Sequence, residues 1–173
     1  MQKADDLQSF KNIYEKVFPV IFRIAYRITG DMDIAEDLCQ EAFLRYYDKA
    51  TPLASIDEVK YWLIRVVKNL AYNHEKRKGR EKSAYEKLSR LPQRSPESGE
   101  NLFIKKEIRE NVQKALNRLP YKLRITLVMR EYGGLSYKEI AKILKISEGN
   151  VKVRVFRARE ILGNIMKEGD YVP

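Results

Sequence analysis

The chain has 173 residues, 44% of them hydrophobic, and 34 lysine and arginine residues against 24 acidic ones, a formal net charge of +10. The ordinary hydrophobic content argues against wholesale disorder, and the positive charge favours a polyanionic partner, either nucleic acid or an anionic membrane surface. No run of 18 apolar residues is present, so no membrane insertion is expected.

The sequence contains little of what catalysis requires. It has one histidine, His74, one cysteine, Cys39, no glycine-rich phosphate loop and no carboxylate pair placed around a cleft. This argues against an enzyme, a metal site, a cofactor or a small-molecule substrate. Cys39 has no partner for an internal disulfide, and the polar N-terminus lacks the apolar core of a signal peptide. We therefore expect a reduced, cytoplasmic compartment.

The first predicted helix covers residues 5–29. Its apolar residues repeat at helical spacing: Leu7, Ile13, Val17, Ile21, Ile24, Ala25 and Ile28. Proline lacks a backbone N–H and its ring clashes with the preceding turn, so we expect a break or kink near Val17–Pro19. Gly30 should end this helix, and Asp31 should cap the next.

The second predicted helix, about 32–49, is acidic at its start. Residues 31–41 include no base and five acids: Asp31, Asp33, Glu36, Asp37 and Glu41. The helix dipole accounts for the first two, but Asp37 and Glu41 are like charges four residues apart, a mildly unfavourable pair. Two explanations stay open, a surface kept for a basic partner or a merely solvated acidic face.

A loop at 50–56 leads to the third predicted helix, about 57–78, with Asp57 as its cap. Its apolar face includes Trp62, which is assigned to the core. Its other face mixes basic, amide and aromatic side chains: Lys60, Tyr61, Arg65, Lys68, Asn69, Tyr72, Asn73, Arg77 and Arg80. Basic groups hold phosphates, rings stack on bases and amides read base edges, so this face suits a melted nucleic-acid strand.

The apolar periodicity stops at 81–101, a stretch with proline, serine and glycine that indicates a flexible linker, with the preceding helix able to extend through residue 88. We divide the chain into an N-terminal domain at 1–87, a linker at 88–101 and a C-terminal domain at 102–173. Residues 102–173 carry 16 basic and eight acidic side chains, so the C-terminal domain is the main candidate to bind a polyanion.

The C-terminal domain is predicted to be helical. Pro120 marks a helix start, Gly133 and Gly134 form a stop, and Ser136 with Glu139 completes a capping box for the next helix. No segment shows strand-like alternation of useful length. The predicted fold class is therefore all-α, with two small helical domains joined by a flexible linker, the C-terminal one a helix-turn-helix.

The stretch 135–159 has the layout of a DNA-reading helix-turn-helix. The apolar face of its second helix is Val151, Val155, Ala158 and Leu162. The opposite side carries Val153, Phe156, Arg157 and Glu160, flanked by Lys152 and Arg154. An ordinary helical hairpin with a solvated basic face has the same pattern, and spacing alone leaves that reading open.

Taken in order, the motifs resemble the extracytoplasmic-function (ECF) group of bacterial RNA polymerase sigma factors, over nearly the whole chain. The N-terminal matches are Phe22-Arg-Ile-Ala-Tyr-Arg-Ile-Thr-Gly-Asp31, Ala35-Glu-Asp-Leu-Cys-Gln-Glu-Ala-Phe-Leu44, Trp62-Leu-Ile-Arg65 and Asn69-Leu-Ala71. The C-terminal matches are Leu116-Asn-Arg-Leu-Pro120, Tyr137-Lys-Glu-Ile-Ala141 and Glu148-Gly-Asn-Val-Lys-Val-Arg-Val-Phe-Arg-Ala-Arg159.

The resemblance implies three binding surfaces. The acidic helix resembles the surface that docks on the clamp coiled coil of the largest polymerase subunit: Asp37, Gln40, Glu41 and Phe43. The loop 48–56 and the third helix resemble the part that recognises and opens the −10 promoter element: Tyr61, Asn69, Asn73, Arg77 and Arg80. The helix-turn-helix resembles the reader of the −35 element: Asn150, Lys152, Val153, Arg154, Phe156, Arg157 and Arg159. The implied partners are core RNA polymerase, promoter DNA and an anti-sigma factor.

One motif departs from the family. The usual Gly-Thr-Val-Lys-Ser-Arg is Gly149-Asn-Val-Lys-Val-Arg154 here. Val153 cannot hydrogen-bond a base but can contact a thymine methyl group.

Two other classes of protein stay open from the sequence. A helix-turn-helix regulator that does not replace a sigma factor leaves the acidic and the basic-aromatic helices unused, and a basic membrane-surface or RNA-binding protein explains only the charge.

Overall fold

The computed structural model describes residues 2–49, 51–88 and 103–169, and it describes the side chains of all of these except 2–5, 85–88 and 103–108. Within this part of the chain there are seven helices and no strand, which confirms the predicted all-α class. The helices are α1 (Gln2–Thr29), α2 (Met32–Tyr47), α3 (Ile56–Leu88), α4 (Phe103–Arg118), α5 (Tyr121–Glu131), α6 (Tyr137–Leu144) and α7 (Glu148–Glu168).

The expected break at Pro19 is wrong, because α1 runs through this residue without interruption. Pro19 and Glu15, whose carbonyl loses its helical partner, both lie on the exposed side of the helix, so water can take the missing hydrogen bond. Val17 and Ile21 on either side are buried and hold both halves of the helix against the core.

The boundary between α1 and α2 follows the predicted chemistry. Gly30 has a φ of +73°, a left-handed conformation that glycine adopts without strain. The Asp31 carboxylate then caps α2 by accepting hydrogen bonds from the backbone N–H groups of Asp33 at 2.9 Å and Ile34 at 3.1 Å.

Helix α3 begins one residue earlier than expected, and its cap is Ser55 rather than Asp57. The Ser55 hydroxyl accepts from the backbone N–H of Glu58 at 3.2 Å, and the Glu58 carboxylate accepts from the N–H of Ala54 at 2.9 Å. Because this reciprocal arrangement satisfies two N–H groups, it fixes the residue at which α3 begins. The helix continues through Leu88, so it includes the predicted extension.

Helices α1, α2 and α3 pack against one another around a core of fully buried side chains, which includes Ile21, Ile24, Ile28, Ala35, Cys39, Leu63, Ile64 and Val67. Burial raises the pKa of the Cys39 thiol to about 12. A buried thiol of this kind is protonated and unreactive at neutral pH, as expected of a small core residue.

The C-terminal helices form the predicted helix-turn-helix. Pro120 is the N-cap of α5, and Ser136 and Glu139 form the predicted capping box at the start of α6. The turn after α6 contains Lys145 in a left-handed conformation, with a φ of +55°. The core joins α5, α6 and α7 through Leu127, Val128, Met129, Ile140, Ile143, Val151, Val155 and Ala158.

The two helical groups also contact each other, since α1 packs against both α4 and α5. The contact is close at Gly133, where an added Cβ would lie 3.2 Å from Cδ1 of Ile24. It is closer still at Gly30, where an added Cβ would lie 2.8 Å from Nδ2 of Asn117. The flexible linker predicted for 88–101 lies outside the described residues apart from Leu88, which ends α3.

Candidate protein and nucleic-acid interfaces

Helix α7 presents one face to the core and the other to solvent. Ser147 caps it by accepting from the backbone N–H of Asn150 at 3.1 Å. On the outer face the exposed side chains are Asn150, Lys152, Val153, Phe156 and Arg157, with Arg154 half-buried beside them. Val153 is 47% exposed and Phe156 69% exposed. A hairpin whose outer face is only solvated would not need two exposed apolar side chains among its cations, so this pair favours a binding surface.

Arg159, another predicted −35 residue, forms an ion pair within the protein. Its guanidinium donates to the Glu131 carboxylate of α5, with Nε 3.2 Å from Oε1. Hydrogen bonding to Glu131 raises the pKa of Arg159. The pair joins the outer helix to α5 and competes with any phosphate contact by this arginine.

At the start of α6, the ring of Tyr137 contacts two cationic side chains, Arg130 and Lys152. The Arg130 guanidinium lies 4.7 Å from the centre of the Tyr137 ring and also donates to the Leu135 carbonyl at 2.8 Å. On the same ring, Nζ of Lys152 lies 6.0 Å from the centre. These contacts position Lys152 of α7 relative to α6. Arg130 was absent from the residues predicted from the sequence, because only the tertiary fold brings it to this ring.

Four of the five predicted −10 residues form an open stripe on α3. Asn69, Asn73, Arg77 and Arg80 are all exposed and follow one another at intervals of four, four and three residues. This spacing places them along one face of the helix.

Tyr61 does not belong to this open stripe. It is half-buried, and its hydroxyl donates to the backbone carbonyl of Glu139 in α6 at 3.3 Å. The tyrosine therefore contacts the C-terminal helices in this structure, which the sequence did not predict.

A pocket of about 340 Å³ lies beside Tyr61, where the loop before α3 meets that helix. It is lined by Leu53, Asp57, Glu58, Tyr61, Trp62, Arg65 and Glu139. Six of these residues come from the loop and α3, while Glu139 reaches the pocket from α6. Aromatic side chains together with an arginine in the lining are suited to a flat, hydrogen-bonding group such as a nucleobase.

Helix α2 exposes three of the four predicted docking residues, Asp37, Gln40 and Glu41. Beyond them Leu44 is 61% exposed and Tyr47 64% exposed. Glu41 is paired with Arg45 at 2.8 Å. We name these five residues, Asp37, Gln40, Glu41, Leu44 and Tyr47, the α2 surface. Leu44 and Tyr47 were missed because apolar side chains on an amphipathic helix are first assigned to its core.

The fourth predicted docking residue, Phe43, is buried in this structure, at 3% exposed. Its ring centre lies 4.8 Å from that of Tyr14 and 6.1 Å from that of Phe18, both on α1. The aromatic ring therefore supports α2 from beneath, and α1 covers the face that Phe43 would need to reach a partner.

Comparison with known proteins decides the family. Residues 13–81 match the family Sigma-70 region 2, and residues 109–162 match the family Sigma-70, region 4. The ECF RNA polymerase sigma-E factor of Escherichia coli is 34% identical over 148 residues, which cover 80% of this chain and 75% of the relative. The RNA polymerase sigma-H factor of Pseudomonas aeruginosa is 29% identical over 170 residues, which cover 94% of this chain and 88% of the relative.

The chain belongs to the ECF sigma factors of the sigma-70 family. A solved structure agrees: the sigma factor RpoE of Bartonella quintana, in complex with the anti-sigma factor NepR, superposes with a TM-score of 0.71 at 26% identity, over 92% of this chain and 98% of that one. The predicted family is confirmed.

As a sigma factor, the chain is a transcription initiation factor that directs RNA polymerase to promoters, and it is not in a family of enzymes. Region 2 of this sigma factor contains α2, the α3 stripe and six of the seven residues that line the pocket, and region 4 contains the helix-turn-helix. None of the helices that the structure describes has the length and apolar character needed to cross a membrane.

Proposed function

We propose that the sigma factor binds core RNA polymerase through the α2 surface and promoter DNA through α3 and α7. The observation that carries this assignment is the chemistry of three exposed surfaces on one chain. The α2 surface is acidic and apolar, the α3 stripe is basic with amides, and the outer face of α7 is basic and apolar. A regulator that only bound duplex DNA would need only the last of these.

The α2 surface has the composition of a protein interface rather than of a solvated helix face. Leu44 and Tyr47 supply apolar contact area, and Asp37, Gln40 and Glu41 form an acidic, polar rim. Interfaces commonly combine an apolar, aromatic centre with such a rim. The partner surface on polymerase would be basic, with room for these two side chains. Phe43 contributes by keeping α2 in place.

At the −10 element, Arg77 and Arg80 would hold phosphates of the opened strand, while Asn69 and Asn73 would contact base edges. A base turned out of the duplex would enter the pocket beside Tyr61 and Trp62. Flipping a base costs a few kcal/mol, and stacking with hydrogen bonding in a pocket offsets that cost.

At the −35 element, α7 would lie in the major groove. Asn150, Val153, Phe156 and Arg157 would face base edges, and Lys152, Arg154 and Arg159 would hold phosphates. Arg159 would do so after exchanging Glu131 for a phosphate. This arrangement requires no cofactor or metal.

The division of the chain into domains at 1–87 and 102–173 with a linker at 88–101 stays a prediction. We place the protein in the cytoplasm with its polymerase.

An anti-sigma factor is the remaining proposed partner. The solved relative from Bartonella quintana was crystallised with one, and a TM-score of 0.65 at 16% identity shows the same fold in CnrH, solved with the cytosolic domain of CnrY.

Run-off transcription tests the proposed function. Core polymerase is mixed with promoter fragments, with and without the full chain, and a promoter mutated in the −10 element serves as the control template. Promoter-dependent transcripts that require the chain and are lost on the control template support the proposal. Duplex binding by the chain without any initiation would favour a regulator instead.

A further inference from the structure

A second pocket, of about 940 Å³, lies where the first turns of α1 meet the end of α2 and the loop before α3. Apolar and aromatic side chains from all three elements line it: Leu7, Phe10, Ile13, Tyr46, Tyr47 and Leu53. Its α1 residues belong to none of the binding surfaces proposed above. We name this depression the α1 pocket.

Leu7 continues the apolar repeat of α1 beyond the part of the helix that is covered. The repeat predicts a buried side chain at this position, yet Leu7 is 62% exposed. Further along the same face Ile13 is half-buried, and Val17 is buried. The described part of the chain therefore leaves an apolar area at the start of α1 that a partner can bury.

This apolar area continues onto the α2 surface through Phe10 and Tyr47. The ring centres of these two residues lie 5.4 Å apart in a T-shaped contact, and Phe10 also stacks on Tyr46 with the ring centres 6.1 Å apart. Tyr47 is 64% exposed and belongs both to the α2 surface and to the wall of the α1 pocket. A partner that covers Tyr47 from α2 therefore meets the pocket as well.

The charges in the α1 pocket favour a protein partner over a nucleic-acid strand. The lining contains two charged side chains, Asp6 and Lys49. Asp6 is exposed, whereas Lys49 is half-buried, with its Nζ 5.9 Å from the centre of the Trp62 ring in α3. A strand is held mainly by lysines and arginines at its phosphates, and the lining presents no exposed cation. An apolar side chain with a basic neighbour complements this pocket.

We propose that the α1 pocket is a second docking site for core RNA polymerase. An apolar side chain of the polymerase enters between Leu7, Phe10 and Tyr47, and a basic group lies beside Asp6. The inference rests on the docking role proposed above for the α2 surface, because one partner reaches both sites across Tyr47. Anchors that fill pockets carry most of the energy of an interface. Contact with two helices also fixes the orientation of region 2 on the polymerase.

Binding of the labelled full-length chain to core polymerase tests this proposal. Leu7→Ser removes the apolar contact, and Met32→Ser is its matched control, because Met32 is 61% exposed at the opposite end of α2 from Tyr47. Ser9→Phe fills the pocket from its own wall without removing an apolar contact. Circular dichroism and urea denaturation show whether each variant keeps its helical content and stability.

We expect Leu7→Ser and Ser9→Phe each to weaken core binding by about fivefold or more, the loss typical of an interface anchor. Met32→Ser should bind as the wild type does, and a loss as large as that of Leu7→Ser would contradict a specific site on α1. The loss in Leu7→Ser should persist at high salt, because apolar burial is not screened.

The basic group beside Asp6 is tested by charge reversal. Asp6→Lys should weaken core binding at low salt, and the loss should shrink as the salt concentration rises, because salt screens exposed charges. Glu15→Lys makes the same change of charge on α1 outside the pocket and should have a much smaller effect. Equal effects of the two reversals would overturn the basic neighbour.

The α2 variant Asp37→Lys with Glu41→Lys is measured in parallel. If it loses core affinity while Leu7→Ser and Ser9→Phe keep theirs, the α1 pocket is not a docking site and the role of the α2 surface stands. If all variants bind core polymerase as the wild type does, both roles are overturned. If the pocket variants keep core affinity but their holoenzymes bind a labelled single-stranded −10 oligonucleotide more weakly, the pocket serves the promoter strand and the docking inference is overturned.

Discussion

The guanidinium group of Arg159 is bound to the carboxylate of Glu131, which ties α7 to α5 on the side of the helix-turn-helix that carries its exposed cations. Both side chains are about half exposed, so the pair itself contributes little to stability. Its main consequence is that one of the proposed phosphate ligands is occupied before DNA arrives.

Replacing Glu131 with glutamine should release Arg159 for a phosphate. We expect the salt dependence of −35 duplex binding to steepen by about one unit in the slope of log K against log salt. Affinity at low salt should rise by about two- to fivefold. Fluorescence anisotropy over a salt series measures both. Glu131→Gln combined with Arg159→Ala is the control, and an unchanged slope in the single variant would contradict the role of Arg159.

Arg157 is exposed on the outer face of α7 and is the arginine proposed to reach a base. Arg157→Ala should lower transcription from the cognate promoter and relax base preference at one −35 position, with a loss of about 1–3 kcal/mol of discrimination. A library of −35 sequences transcribed with core polymerase measures this. Lys167→Ala, at the far end of the same helix, should leave the preference unchanged. Wild-type preference in Arg157→Ala would refute the assignment.

Reversing the acidic charges of α2 should weaken binding to core polymerase. Asp37→Lys with Glu41→Lys puts like charge against a basic partner surface and should cost about tenfold or more in affinity, because a repulsive juxtaposition costs several kcal/mol. A pull-down with titrated core polymerase measures the loss. The same variant should bind a −35 duplex at least as well as the wild type. Glu15→Lys on α1 controls for added charge, and equal losses in both variants would contradict a specific role for α2.

Neighbouring residues of α2 should separate into two classes. Phe43→Ala should lower the free energy of unfolding by about 3–5 kcal/mol, because it removes a buried ring. Leu44→Ala with Tyr47→Ala should leave stability nearly unchanged but weaken core binding, since exposed anchors carry interface energy. Urea denaturation and the polymerase pull-down measure the two effects. Loss of core binding in Phe43→Ala at full stability would show that its ring does reach the polymerase.

Local chemistry made much of the helical frame predictable. Asp31, Ser136 and Glu139 are caps whose side chains bond to the backbone within three residues, so their sequence spacing is sufficient evidence. The continuous α1 was not predictable, because the tolerance of Pro19 depends on which side of the helix faces water. The burial of Phe43 was not predictable for a similar reason, since only the packing of α1 decides which face of α2 is covered.

The contacts between the two regions have no local pattern. Arg27 donates a hydrogen bond to Gln113, 86 positions away, and Arg124 donates one to Glu75, 49 positions away. Each residue alone is an ordinary polar side chain on a helix surface. The residue types of the α3 stripe could be predicted from their spacing. The contact of Tyr61 with α6 could not, because it depends on how the two regions pack.

Val153 gives the sharpest test of what the helix-turn-helix reads. A valine that is 47% exposed on the outer face of α7 would have one apolar partner to contact in the major groove, the C5 methyl group of thymine. Replacing each −35 thymine in turn by deoxyuridine deletes that methyl group and nothing else. At one position, binding by the wild type should weaken by about fourfold, the value of one buried methyl group. Val153→Ser should bind the thymine duplex and the deoxyuridine duplex with equal affinity. If no replacement changes the affinity of the wild type, recognition of a methyl group is contradicted.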